Sequence, residues 1–119
     1  MALSVRQRPL LKELTTLGLG GAALAEAVVR AEADLDGLGR FLSDSGGRPF
    51  VLGGGSNLLA EDHDLDLVLL AVRNAGTPER SGDTLRCGAG LRLPSLIKFC
   101  EEAGLSGLEA LAGIPGSVG

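Results

Sequence analysis

The chain has no tryptophan and no tyrosine, a single histidine and only two cysteines. Each scarcity excludes something. Three phenylalanines, Phe41, Phe50 and Phe99, are the only aromatic rings, and none sits in a basic cluster. Lys and Arg are nowhere concentrated and the net charge is −4, so the electrostatic footprint of a nucleic-acid binder is missing. Cys87 and Cys100 are too few for a disulfide framework, and with His63 they show no zinc-ligand spacing. No metal site is expected. Both thiols read as buried neutral cysteines, and His63, between Asp62 and Asp64, as a solvated loop residue. No apolar run approaches the length of a membrane span, and the stretch from Leu14 to Ala25 is too rich in glycine and threonine for a signal-peptide core. A cytoplasmic protein with no membrane partner is the expectation.

What the chain does hold is glycine: 19 of 119 residues, about twice the usual share, clustered between apolar runs without a three-residue period. That excludes collagen and points to tight turns and close backbone approaches. Hydrophobic residues make up 45% and charged residues 22%, which suits one globular domain at this length.

Residues 1 to 13 read as a mostly polar lead-in, and Thr15 to Leu19 as a short strand. From Ala22 to Ser43 the alanines and glutamates alone would score as one long helix. Leu35, Leu38 and Leu42 at i, i+3, i+7 instead place the start of a helix near Glu32, with Leu24 to Val29 as a separate strand and Gly46-Gly47 as the helix stop. Phe50-Val51-Leu52 reads as a buried strand, Leu65 to Val72 as a second and Thr84 to Cys87 as a third. Asn74 to Asp83 reads as a turn-rich connection. Pro94 opens the clearest helix, with Leu96, Ile97 and Cys100 on one face and Gly104 beyond its end, and a helical turn follows at Leu108 to Leu111. Alternating strands and helices indicate an α/β or α+β fold. The chain stops inside an apolar, glycine-rich stretch with no charged side chain after Glu109, which suggests a truncated domain.

Three glycine clusters compete as phosphate sites. Gly18 to Ala23 fits the G-x-G-x-x-A form of the dinucleotide fingerprint, but no convincing strand precedes it. Gly88-Ala89-Gly90 reads as a strand-ending turn. Gly53-Gly54-Gly55-Ser56-Asn57 leaves a strand's C-terminal end, where consecutive residues without Cβ atoms can aim successive N–H groups into one concavity. Ser56 and Asn57 add a hydroxyl and an amide. No lysine follows, so this is not a Walker loop. On spacing alone, a plain tight turn fits as well as a diphosphate cradle. Ile114-Pro115-Gly116-Ser117-Val118-Gly119 is a second segment able to lie flat against a planar ligand.

The run from Val51 to Leu59 resembles the diphosphate-binding loop of the vanillyl-alcohol-oxidase (PCMH-type) FAD domains. The order of Thr16-Leu17-Gly18, that loop, Gly88-Ala89-Gly90, Gly107-Leu108-Glu109 and Ile114 to Gly119 is similar to the UDP-N-acetylenolpyruvoylglucosamine reductase family in particular. The resemblance implies an α+β, PCMH-type FAD-binding domain over 14–119, made of two small α+β subdomains with FAD between them, the second incomplete. It implies contacts to FAD from Gly53, Gly54, Gly55, Ser56, Asn57, Leu58, Ile114, Pro115, Gly116, Ser117, Val118 and Gly119. Thr16 matches a threonine near the same pocket, although Thr15 stands where the family usually has asparagine.

In that family NADPH reduces the flavin, which passes hydride to the enolpyruvyl group of a UDP-sugar during peptidoglycan precursor synthesis. The serine acid, its charged partners and the substrate region lie beyond the match to Gly119, so no catalytic residue is expected in this chain. A different oxidase or dehydrogenase of the superfamily, or a non-enzymatic nucleotide-binding module, are the alternatives.

Overall fold

The computed structural model describes residues 3–119. Leu67–Val72 (β4) carries the longest apolar strand sequence and takes the protected place in a four-stranded sheet. It pairs in parallel with Ala25–Val29 (β2) on one side and with Arg48–Val51 (β3) on the other. Ser4–Gln7 (β1) adds an antiparallel edge beside β2, giving the order β1-β2-β4-β3. Side chains alternate across a strand, and β4 shows why it must be apolar throughout. Val68 and Leu70 face a cluster with Ala27, Val29 and Leu38, while Leu67 and Leu69 face another with Leu11, Ala23 and Leu52. A parallel strand covered on both faces reads as a continuous hydrophobic run.

Leu35–Ser45 (α2) covers the first face and presents Leu38, Phe41 and Leu42 to it, while Leu35 turns outward. A short 3-10 turn, Glu32–Asp34, leads into the helix, and Gly46 ends it at φ +71°. Leu11–Leu14 (α1) and the loop from Leu58 to Leu65 cover the other face. The helix expected near Glu32 and the separate strand before it are thus both present, and the long-helix alternative is not.

Several expectations are corrected. The polar lead-in contains β1 and α1, and Leu11 is 1% exposed in the core. Thr15 to Leu19 is not a strand: Gly18 and Gly20 have φ of +70° and +129°, which break the extended path. Phe50-Val51-Leu52 is not a buried strand. β3 is a sheet edge with Phe50 38% and Val51 60% exposed, and only Leu52, just past its end, is buried. Gly18 to Ala23 lies between α1 and β2 with no helix following it, so its glycines do not form the strand-turn-helix of a dinucleotide fingerprint.

A second, smaller unit follows. The stretch expected as a turn-rich connection also contains a strand, Glu79–Ser81 (β5), which pairs antiparallel with Thr84–Arg86 (β6) around Gly82 at φ +61°. Leu93–Glu102 (α3) packs Leu96 and Cys100, with Leu91 just before it, against Leu85, Cys87, Leu105 and Leu108. Cys100 is buried; Cys87 is only half-buried, contrary to the expectation for both thiols. The Arg80 guanidinium donates to the Gly82 and Ala103 carbonyls, both at 2.8 Å, and ties the hairpin to the end of α3. A 3-10 turn, Glu109–Leu111, stands where a helical turn was expected. The two α+β units form a flat body of 46 × 33 × 16 Å.

Candidate functional site

β2, β4 and β3 run in parallel, so their carboxyl ends open on one edge of the sheet, the usual place for a ligand in a parallel sheet. The Gly53 loop leaves β3 at that edge, and Arg73 leaves β4. The second unit closes on the same edge. Gly90 donates its N–H to the Asn74 carbonyl at 2.9 Å, and a Cβ at Gly90 would lie 2.7 Å from the Val72 carbonyl oxygen. Only glycine lets the two backbones meet there.

The C-terminal segment joins the second unit as a short antiparallel pairing. Leu93 donates to Gly116, Val118 to Leu91 and Gly119 to Ala89, at 2.8 to 3.0 Å. A cleft of about 630 Å³ lies between the units. Thr16, Gly53, Gly54, Ser56, Val72, Arg73 and Ala75 line it from the sheet side. Gly90, Leu91, Arg92, Ser95, Pro115, Gly116 and Ser117 line it from the other. A recess of about 260 Å³ continues from it along Gly55, Asn57, Leu58 and Gly119.

The loop is built rather than merely flexible. Gly55 sits at φ +73°, and a Cβ there would fall 1.9 Å from the Leu14 carbonyl oxygen. Thr16 N–H donates to the Gly55 carbonyl at 3.0 Å and pins the loop to the segment after α1. Gly53 and Gly54 point the other way: a Cβ at Gly54 would meet nothing within 4 Å, and one at Gly53 only the Ser117 hydroxyl at 3.8 Å. Among the described residues, no backbone or side-chain acceptor takes the N–H groups of residues 53 to 57, and Ser56 and Asn57 form a turn that brings Leu58 back toward Gly55. Nor do Gly116 and Ser117 donate theirs. Backbone donors are normally paired or solvated, so this run of free N–H groups, bent into a concavity, suits an anion.

Charge agrees with that geometry. The chain carries 15 acidic and 11 basic residues, yet no carboxylate lines the cleft or its recess, and Arg73 and Arg92 are the charged groups that do. The residues present therefore fit the negatively charged phosphate groups of a ligand.

The structure brings Gly53, Gly54, Ser56, Thr16, Pro115, Gly116 and Ser117 to one cleft, with Gly55, Asn57, Leu58 and Gly119 beside it. Ile114 and Val118 line neither space; their side chains are 47% and 42% exposed. Arg73, Arg92 and Ser95 escape sequence reasoning, because an isolated arginine or serine carries no local pattern. The available signal was position: Arg73 follows the buried run of β4, and Arg92 precedes Pro94 at the start of α3. His63 lies away from the cleft in an exposed loop, where its Nδ1–H donates to the Asp64 carbonyl and its Nε2 meets the Glu61 carboxylate. Both contacts, the carbonyl first, hold the imidazole above its ordinary pKa. Among the described residues, no cluster of three metal-ligating side chains is present and no helix is long and apolar enough to cross a membrane.

No protein-family model matches the chain. It is 47% identical over 122 residues to UDP-N-acetylenolpyruvoylglucosamine reductase of Nitratidesulfovibrio vulgaris, covering 98% of this chain and 41% of that protein. It is 48% identical over 106 residues to the same reductase of Oleidesulfovibrio alaskensis, covering 83% of this chain and 36% of that one. The crystal structure of UDP-N-acetylenolpyruvylglucosamine reductase from Thermus caldophilus aligns with a TM-score of 0.72 at 36% identity, covering 98% of this chain and 40% of the other. The chain is thus homologous, over nearly its whole length, to a part of these reductases, and it shares their mixed α+β fold. It spans about two fifths of the length of the curated relative from Nitratidesulfovibrio vulgaris.

Proposed function

We propose that this chain, homologous to part of the UDP-N-acetylenolpyruvoylglucosamine reductases, is the FAD-binding portion of such an enzyme. The observation that carries the reading is the cleft itself. Two glycine segments about 60 residues apart face each other across it, with free N–H groups on both walls and no carboxylate between them. In this reading residues 53 to 58 cradle the FAD diphosphate, Ser56 and Asn57 donate side-chain hydrogen bonds to it, and Pro115 to Ser117 bound the ring system. Bound FAD supplies hydride transfer; the protein's part is to hold the flavin in one place and keep its diphosphate out of bulk water.

The relatives are more than twice as long as this chain. We assign the UDP-sugar, the proton donor and the use of NADPH to the remainder of the enzyme, and the whole to the cytoplasmic synthesis of peptidoglycan precursors. The 119-residue chain is expected to show no NADPH-dependent reduction of the enolpyruvyl sugar, and measurable turnover would refute that division of labour. Flavin binding is tested by fluorescence titration of FAD with the chain and with a Ser56→Ala/Asn57→Ala variant. A saturable change, weaker in the variant, is expected. No change with the folded wild-type chain would overturn the reading.

A further inference from the structure

We infer that Arg73 and Arg92 form a two-sided clamp that grips, across the cleft, the same diphosphate the glycine loop cradles. This rests on the reading of the cleft as a dinucleotide site and adds to it two cationic residues, one from each unit.

The backbone fixes where each arginine leaves the fold. Arg73 is the first residue past β4, and its N–H donates to the Val29 carbonyl at 2.7 Å, prolonging the ladder with β2. It therefore leaves the sheet at a fixed point on the edge that also releases the Gly53 loop. Arg92 is fixed from the other side. It pairs with Ser117 as an isolated antiparallel bridge, and the next residue opens α3. Both arginines line the same cleft as Gly53, Gly54 and Ser56. Among the described residues only Arg6 and Arg8 of the nine arginines are in ion pairs, so Arg73 and Arg92 differ from the other unpaired arginines by facing one cleft from two sides.

Two arginines lining a cleft that no carboxylate lines, in a protein with an excess of carboxylates, hold a local field for an anion. Guanidinium groups suit this one, because their fork can donate two parallel hydrogen bonds to phosphate oxygens. Ser95, in the first turn of α3, adds a hydroxyl and lies at the positive end of a ten-residue helix. The clamp has a consequence for the fold. The two units meet through backbone contacts at Gly90 and Asn74, and an anion held by one arginine from each would join them further.

The test is calorimetric titration of the chain with inorganic pyrophosphate, alone and at saturating FAD, with an Arg73→Ala/Arg92→Ala variant and an Arg73→Lys/Arg92→Lys variant beside it. Both side chains are exposed, so unchanged circular dichroism and thermal unfolding are expected for each variant. Pyrophosphate should bind the wild-type chain, weaken by about tenfold or more in the alanine variant, as expected for lost charge-assisted hydrogen bonds, and recover in part in the lysine variant. Saturating FAD should displace it, and the alanine variant should lose FAD affinity but not riboflavin affinity, since riboflavin has no phosphate. Equal pyrophosphate affinity in wild-type and alanine variant, no binding to the wild-type chain, or binding undiminished by saturating FAD would each overturn the clamp. An alanine variant that bound FAD as tightly as wild-type would overturn it while leaving the FAD reading intact.

Discussion

Gly54 and Gly55 are neighbours with opposite demands. Adding a methyl group at Gly54 meets open space, whereas at Gly55 it meets the Leu14 carbonyl oxygen at 1.9 Å from a backbone at φ +73°. Gly55→Ala is therefore expected to cost at least about 2 kcal/mol in urea unfolding, from αL strain plus the clash. Gly54→Ala should change stability by less than about 1 kcal/mol in either direction. Equal effects would mean that the loop is not anchored as described. Asp34 gives a residue-scale test in pH. Its buried carboxylate accepts the Arg30 and Ala31 N–H groups at 2.8 and 3.1 Å, and these bonds, Arg30's first, hold its pKa below the ordinary value of 3.8. A group lowered by folding stabilises the fold above its unfolded pKa and loses that contribution as pH falls through the folded value. Asp34→Asn should thus lower the melting temperature at pH 7, with the gap to wild-type closing below about pH 4, near the ordinary aspartate value. A gap independent of pH would show that the charge is not what matters.

At the scale of elements, stability should follow cover. β4 is packed on both faces, and Leu69 is fully buried, so Leu69→Ala should cost about 2–5 kcal/mol, whereas Leu59, 70% exposed, should tolerate alanine. Amide hydrogen exchange should be slowest in β2 and β4 and fast in the three-residue strands β5 and β6, whose residues are mostly exposed. The reverse order would contradict this division of the core. The same contrast governs what could be read beforehand. β4, α2 and α3 were legible because buried faces impose a period on the sequence. β1 and β5 were not, because their residues are mostly exposed and nothing selects an apolar pattern there. Thr15 to Leu19 misled because its Leu and Thr content resembles a strand, while the backbone is committed to holding the Gly55 loop. The glycine loop's place just past a strand's carboxyl end was legible in its sequence. Its partner wall was not fully so: Pro115, Gly116 and Ser117 reach the cleft, but Ile114 and Val118 do not, and the two arginines carried no local signature.

Taken whole, the molecule is flat, only 16 Å through its thinnest dimension, and leaves large apolar side chains in the open. Leu17, Leu19, Leu35, Val51 and Leu59 are each more than half exposed, and β3 presents an unpaired edge beside Phe50 and Val51. Exposed apolar surface and a free strand edge favour association. Sedimentation velocity is expected to show concentration-dependent self-association of the isolated chain, and a single monomer species at every concentration would count against it. The cleft between the two units is the proposed flavin site, and its backbone N–H groups can be watched directly. Two-dimensional amide NMR of the chain, titrated with FAD, should show saturable shifts concentrated at residues 53 to 58 and at Gly116 and Ser117, with the β5–β6 hairpin unmoved. Shifts absent from those amides, or concentrated elsewhere in the chain, would contradict the assignment of the cleft as the flavin site.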